Sequence, residues 1–117
     1  MRFIPTIVHG VADYLVGLAV IALPFLLGSE GAVKGILIAL GVVVLLYSLV
    51  TDYELGAIRF LRIRFHLLLD ALFGVVMLLL PLTLDMTGTA QWPFFVFGVL
   101  SLALVFTTKI RGEGTAA

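Results

Sequence analysis

The chain contains no cysteine, so disulfides, thiolate-bound iron–sulfur clusters and thiolate metal sites are excluded. Charged residues are also few: they make up 12% of the 117 residues, whereas soluble domains contain about 25%. The sequence has no glycine-rich phosphate loop followed by lysine, and no H-E-x-x-H zinc motif. These absences exclude the common hydrolase patterns and favour a protein that is not an enzyme.

Apolar residues, in contrast, make up 62% of the chain. They are concentrated in four stretches, at about residues 7–27, 35–53, 65–84 and 92–110. A helix needs about 20 residues to cross the ~30 Å of hydrocarbon in a bilayer. The second and fourth stretches reach that length only with the polar residues at their ends. Too few polar residues remain to cover a soluble fold. We therefore predict an all-α membrane protein with four transmembrane helices in one membrane domain.

The chain also contains an internal repeat, because a shift of 57 positions aligns the sequences of its two halves without a gap. The matched pairs include His9 and His66, Asp13 and Asp70, Gly17 and Gly74, and Pro24 and Pro81. Residues 1–57 and 58–117 are thus each predicted to form one helical hairpin. Since each hairpin has an even number of spans, both insert in the same orientation. A pseudo-two-fold axis along the membrane normal is expected to relate these tandem parallel repeats.

The basic residues predict the orientation of the chain in the membrane. Six of the seven flank the same side of a four-span topology, namely Arg2, Arg59, Arg62, Arg64, Lys109 and Arg111, and only Lys34 lies on the other side. Basic residues are enriched in cytoplasmic loops. We expect both termini in the cytoplasm and the loops at 28–34 and 85–91 outside. The cluster of Arg59, Arg62 and Arg64 is interpreted as a contact with lipid headgroups, not with nucleic acid.

Polar residues form one stripe on each of two apolar helices. At about 100° per residue, the first stripe falls within a sector of about 80°. It consists of His9, Asp13, Gly17 and Pro24, and its counterpart consists of His66, Asp70, Gly74 and Pro81. An aspartate facing lipid at the centre of a helix costs about 2.5–3.5 kcal/mol. The two stripes are therefore predicted to face the interior of the bundle and each other.

The residues leave four interpretations of these stripes open. In the first, Asp13 accepts a hydrogen bond from His9 one turn away, and a partner across the axis completes a buried polar clamp. In the second, His9, Asp13, His66 and Asp70 bind a divalent metal, for which imidazole and carboxylate are suitable ligands. In the third, His9 and His66 are the axial ligands of a haem. The fourth is a proton or ion relay.

Each predicted hairpin carries the pattern His-x3-Asp-x3-Gly, followed by Leu23-Pro24-Phe25 in the first and Leu80-Pro81-Leu82 in the second. A second, glycine-bearing helix follows in both. This organisation resembles the SPW repeat family of small bacterial membrane proteins, whose repeat is a pair of transmembrane helices. The family has a Ser-Pro-Trp signature late in the first helix, of which this chain keeps the proline. The resemblance implies a membrane topology and no established activity.

The leading hypothesis is therefore a non-enzymatic protein of the bacterial inner membrane that needs no cofactor. It would self-associate or act as an accessory, stabilising subunit of a larger membrane complex. Its expected partners are the lipid bilayer and other membrane subunits. The alternative hypothesis is a four-helix electron-transfer bundle that binds haem or a metal through His9 and His66.

Overall fold

The computed structural model describes residues 2–28, 30–83 and 91–110. These residues fold into four α-helices, α1 (Thr6–Leu27), α2 (Gly31–Leu49), α3 (Ile63–Thr83) and α4 (Trp92–Thr107). The first three helices are long and apolar enough to cross a membrane, whereas α4, with 16 residues, is shorter. The described chain is therefore an all-helical protein suited to a membrane. Of the predicted loop at 85–91, only Gln91 belongs to the described residues.

The second helix begins earlier than the predicted residue 35. Gly28 and Gly31 have φ values of 66° and 65°, which lie in the left-handed region that favours glycine. The N–H of Gly28 donates to the carbonyl of Pro24 and closes the end of α1. The second helix, α2, then starts at Gly31.

The same helix ends at Leu49 and not at the predicted residue 53. The carbonyl oxygen of Leu49 accepts hydrogen bonds from the N–H groups of Ala57 and Ile58, at 2.7 and 2.9 Å. The carbonyl of Val50 accepts from Leu61 at 2.7 Å. Because the connecting segment satisfies these terminal carbonyls, the chain leaves the helix here.

The fourth helix, predicted to reach residue 110, ends at Thr107 for an equivalent reason. The carbonyl oxygen of Thr107 accepts a hydrogen bond from the N–H of Ile4 at 2.9 Å, and the N–H of Lys109 donates to the carbonyl of Ile4 at 2.9 Å. Arg2 adds two bonds of 2.7 Å from its guanidinium to the carbonyls of Val105 and Thr108. A cation at a helix C-terminus is favourable, so the segment before α1 caps the end of α4.

The helices pack as two pairs, because α1 contacts mainly α2 and α3 contacts mainly α4. A glycine on each helix permits the close approach within a pair. A Cβ atom on Gly41 would lie 2.7 Å from the carbonyl oxygen of Gly17, and one on Gly98 would lie 2.9 Å from that of Gly74. Small residues let helix backbones approach in this way where lipid competes for apolar surfaces.

Between the two pairs lies an apolar core, and large apolar side chains also cover the outside. The core includes Val20, Leu37, Met77 and Phe94, all of which are fully buried. Exposed apolar side chains occur on every helix, for example Leu15, Leu46, Leu72 and Phe106. Such a surface is suited to contact with the lipid bilayer.

Candidate functional site

Four ionisable side chains meet inside the bundle, two from α1 and two from α3. His9 and Asp13 lie one turn apart on α1, and His66 and Asp70 lie one turn apart on α3. Both histidines have no exposed surface, and the aspartates are 5% and 4% exposed. We call these four residues the His/Asp cluster.

Each histidine lies closer to the aspartate of the other helix than to the aspartate of its own. His9 Nε2 is 2.6 Å from Asp70 Oδ2 and 3.1 Å from Asp13 Oδ1. His66 Nε2 is 2.7 Å from Asp13 Oδ2 and 3.0 Å from Asp70 Oδ2. The shorter contacts thus cross from one helix pair to the other. Contact within one helix, expected from the sequence for His9 and Asp13, is present but longer.

A threonine hydroxyl holds the second nitrogen of each imidazole. His9 Nδ1 lies 2.6 Å from Thr108 Oγ1, and His66 Nδ1 lies 2.7 Å from Thr51 Oγ1. The Thr51 hydroxyl donates its one hydrogen to the carbonyl of Tyr47 at 2.6 Å. It must therefore accept from His66, so Nδ1 of that ring carries a hydrogen and Nε2 is the nitrogen directed at the carboxylates.

Two tyrosines complete the surroundings of the carboxylates. The Tyr47 hydroxyl donates to Asp70 Oδ1, and the Tyr53 hydroxyl donates to Asp13 Oδ2 at 3.0 Å. Tyr53 lies in the segment between α2 and α3, where its burial, together with the charge of Asp13, raises the pKa of its hydroxyl. Both carboxylates are thus fixed by a phenol as well as by imidazoles.

The sequence did not point to these tyrosines. The positions 57 residues after Tyr47 and Tyr53 are Leu104 and Ile110, so the internal match does not mark them. Thr51 and Thr108 do match each other, and that pairing was a usable signal. The match by itself gives the two threonines no role, whereas the structure places both hydroxyls on the histidines.

The remaining stripe residues are buried but take no part in the cluster. Gly17 and Gly74 lie at the close contacts within each helix pair, and Pro24 and Pro81 lie inside the last turns of α1 and α3. The stripe therefore consists of a polar end, which holds the His/Asp cluster, and a small-residue end, which permits packing.

A small cavity, with room for about one water molecule, lies on the side of the cluster that is lined by the two carboxylates and not by the histidines. The cavity that touches Asp13, Tyr47, Asp70 and Ser101 has a volume of about 10 Å³. The imidazole rings of His9 and His66 are 5.3 Å apart, centroid to centroid, and both contact the same carboxylate oxygen, Asp70 Oδ2. A haem held by two axial histidines needs a flat macrocycle between them. These residues therefore do not fit a haem between the two rings, whereas one ligand atom from each of the four residues lies within 4.8 Å of the others, so that together they could hold a metal ion.

The predicted headgroup residues lie away from this site. Arg59, Arg62 and Arg64 are all exposed around the start of α3. Arg62 and Arg64 line an open groove of about 480 Å³ with Phe65 and Leu68. A groove with arginines at one edge and apolar side chains at the other is suited to a lipid headgroup and the chain below it.

Comparisons of the chain with models of protein families, with curated proteins and with solved structures found no match. The resemblance to the SPW repeat family accordingly stays a prediction from sequence.

Proposed function

We propose that the chain is a small, non-enzymatic integral membrane protein whose four helices span the bilayer as two hairpins. The distribution of its side chains carries this proposal. Asp13 and Asp70 are buried between helices, whereas large apolar groups such as Leu15 and Phe106 are exposed. Soluble proteins seldom bury aspartate and seldom expose so many large apolar groups. In a bilayer the same surface would contact lipid, and the charged groups would avoid it.

The fourth span is part of the proposal. At 16 residues, α4 is about 24 Å long, which is short of the ~30 Å hydrocarbon core. Residues 108–110 continue past its end, and local thinning of the bilayer accommodates a short span at modest cost.

Matched backbone contacts support two parallel repeats. The bridge between Ile4 and Thr108 has a counterpart, 57 positions away at each partner, between Leu61 and Thr51. The bond from the Lys109 N–H to the Ile4 carbonyl, 2.9 Å, corresponds to a 2.6 Å bond from Asp52 to Leu61. We propose a pseudo-two-fold axis along the membrane normal, both termini in the cytoplasm, and the bacterial inner membrane as the location. Membership of the SPW repeat family belongs to the same proposal.

Labelling of single cysteines tests the topology cleanly, because the natural chain has none. Glu30 and Ala57 are both exposed and lie at opposite ends of α2. In intact cells a membrane-impermeant maleimide should label Glu30→Cys and not Ala57→Cys, and cell lysis should expose the second. Labelling of both positions in intact cells would contradict the proposed topology.

Within this membrane protein, the His/Asp cluster ties the two helix pairs together. The helices pack more extensively within each pair than between the pairs, and the two shortest contacts of the cluster, 2.6 and 2.7 Å, both cross between the pairs. Removing one partner of a buried ion pair typically costs about 3–5 kcal/mol. We infer that the cluster fixes one arrangement of the hairpins.

The exposed faces then serve association with other membrane helices. Large apolar side chains on α4, including Val96, Val99 and Phe106, point outward, and a shallow apolar groove of about 570 Å³ runs over Phe95 and Ala103. We propose that the protein self-associates or stabilises a larger membrane complex as an accessory subunit.

Gentle detergent extraction from the native membrane, followed by native mass measurement, tests the association. A defined oligomer would support self-association, and a defined complex with other membrane proteins would support the accessory role. A particle that is monomeric at every protein concentration and carries no co-purifying protein would contradict both.

A further inference from the structure

We propose that His9, Asp13, His66 and Asp70 bind one divalent transition-metal ion, of the class that includes Zn²⁺ and Mn²⁺. One ligand atom from each of the four residues lies within 4.8 Å of all the others. The ligands are two imidazole nitrogens and two carboxylate oxygens, a set that suits these ions. In a tetrahedral zinc site, ligand atoms at about 2.0–2.2 Å from the ion are about 3.3–3.5 Å apart. The present contacts of 2.6–3.1 Å need only a small outward movement.

The orientation of the imidazoles favours the binding of a metal ion. Metal-binding histidines usually donate their other ring N–H to an oxygen, which fixes the ring and its tautomer. Here Thr51 must accept the Nδ1 hydrogen of His66, and Thr108 lies against Nδ1 of His9. Nε2 of both rings points into the cluster, and the hydrogen bond of 2.6 Å between His9 Nε2 and Asp70 Oδ2 is the contact that an ion would replace.

The hydrogen bonding inside the cluster is incomplete, which independently points to a bound ligand. His66 Nε2 is fully buried and lies 2.7 and 3.0 Å from two carboxylate oxygens, yet it makes no well-directed hydrogen bond to the described residues. Buried polar nitrogens rarely lack a partner. An ion between the rings and the carboxylates would accept the Nε2 lone pair and satisfy it.

The charge balance of the four ligands and the hydrogen bonds to their carboxylates agree with a bound divalent ion. Two aspartates balance one divalent cation, so the buried site is neutral when both imidazoles are neutral. The carboxylates are themselves held, Asp70 by the Tyr47 hydroxyl and Asp13 by the Tyr53 hydroxyl. Ligating carboxylates are commonly hydrogen-bonded in this way. The site thus has four candidate ligands and an outer partner for each.

The test uses the full chain in detergent, stripped with a chelator and titrated with Zn²⁺, and with Co²⁺ as a spectroscopic probe. We expect one ion per chain, visible ligand-field bands with Co²⁺, and a higher unfolding temperature with Zn²⁺. His9→Ala and His66→Ala should abolish all three effects. Failure of the natural, helical chain to bind either ion would overturn the proposal.

A milder pair of variants covers the case in which the histidine variants do not fold. Thr108→Val removes the hydroxyl on His9 and should weaken Zn²⁺ binding by about 10–100-fold. Thr107→Val is the matched control, because among the described residues the Thr107 hydroxyl bonds the carbonyl of Ala103 and no member of the cluster, and the affinity of this variant should equal that of the natural chain. Equal affinities in both variants would overturn the assignment. Topology labelling and native mass do not depend on the ion, so they would still decide the proposed function separately.

Discussion

At the scale of single residues, Asp70 joins both histidines of the cluster and a tyrosine. Its Oδ2 lies 2.6 Å from His9 and 3.0 Å from His66, and its Oδ1 accepts from Tyr47. We predict that Asp70→Asn destabilises the folded protein by about 3–5 kcal/mol, because it removes one of the two carboxylates that pair with the buried imidazoles.

Denaturant unfolding in one detergent, followed by circular dichroism, measures this difference. Glu30→Gln is the matched control, since Glu30 is exposed and its amide variant should stay within about 0.5 kcal/mol of the natural chain. A difference of under about 1 kcal/mol for Asp70→Asn would show that the cluster contributes little to folding.

The raised pKa of the Tyr53 hydroxyl predicts that the folded protein loses stability at alkaline pH. Burial and the neighbouring Asp13 raise the pKa of its hydroxyl above 10.0, the ordinary value. Since the folded protein holds this proton more tightly than the unfolded chain, the contribution of Tyr53 is complete below pH ~10 and declines above it.

The free energy of unfolding, measured from pH 8 to pH 11, should therefore fall more steeply in the natural chain than in Tyr53→Phe. The tyrosinate absorbance of the folded natural chain should match that of the variant up to pH ~10, where a free phenol is half ionised. Parallel stability curves, or an extra tyrosinate signal in the natural chain, would show that Tyr53 ionises freely.

The positions of the cluster residues show what sequence reasoning can reach. The helical period placed His9 and Asp13 on one face, and the repeat duplicated that face at His66 and Asp70. Which aspartate each histidine contacts more closely depends on the offset of two packed helices. That offset is a tertiary property, so the period could not supply it. The contact of a tyrosine with each carboxylate could not be predicted from the sequence either, because the second repeat has no tyrosine at the matching positions.

At the scale of elements, the α1–α2 contact depends on glycine. A Cβ on Gly41 would lie 2.7 Å from the Gly17 carbonyl oxygen, whereas a Cβ on Gly35, in the same helix, would meet nothing within 4 Å. Gly41→Ala should therefore destabilise the protein by about 1–3 kcal/mol through overpacking. Gly35→Ala should be neutral or stabilising by up to about 1 kcal/mol, because alanine favours helix.

Unfolding of both variants under identical conditions tests the prediction, with Gly35→Ala as the control for helix propensity. If Gly41→Ala were as stable as Gly35→Ala, the two helices could not be packed as closely as the structure has them.

The composition of the chain predicted that four helices exist and placed α1 closely, but it did not predict where α2 and α4 end. Apolar runs marked all four helices, since such runs favour helix in a bilayer. The end of α2 at Leu49 and of α4 at Thr107 reflects backbone pairing with segments distant in sequence, such as Ile4 with Thr108. The local sequence at residues 50–53 and 108–110 does not indicate that pairing. The predicted second and fourth helices were therefore too long at their C-terminal ends.

At the scale of the whole molecule, the asymmetry of basic residues should set the orientation in the membrane. In the proposed topology six basic residues lie on the cytoplasmic side and one, Lys34, lies outside. Replacing Arg59, Arg62 and Arg64 with glutamine leaves three basic residues on the cytoplasmic side and one outside. The positive-inside bias would then be much weaker, and a fraction of the chains should insert in the reverse orientation.

The maleimide label on Glu30→Cys reports this fraction. In the background of the triple arginine variant, its labelling in intact cells should fall, and the lost fraction should appear only after lysis. Lys34→Gln is the control: it removes the one basic residue outside, so the bias grows and Glu30→Cys should label fully in intact cells. Full labelling in the triple variant as well would mean that the hairpins themselves, held together by the His/Asp cluster, insert in one direction whatever the charge of the connecting segment.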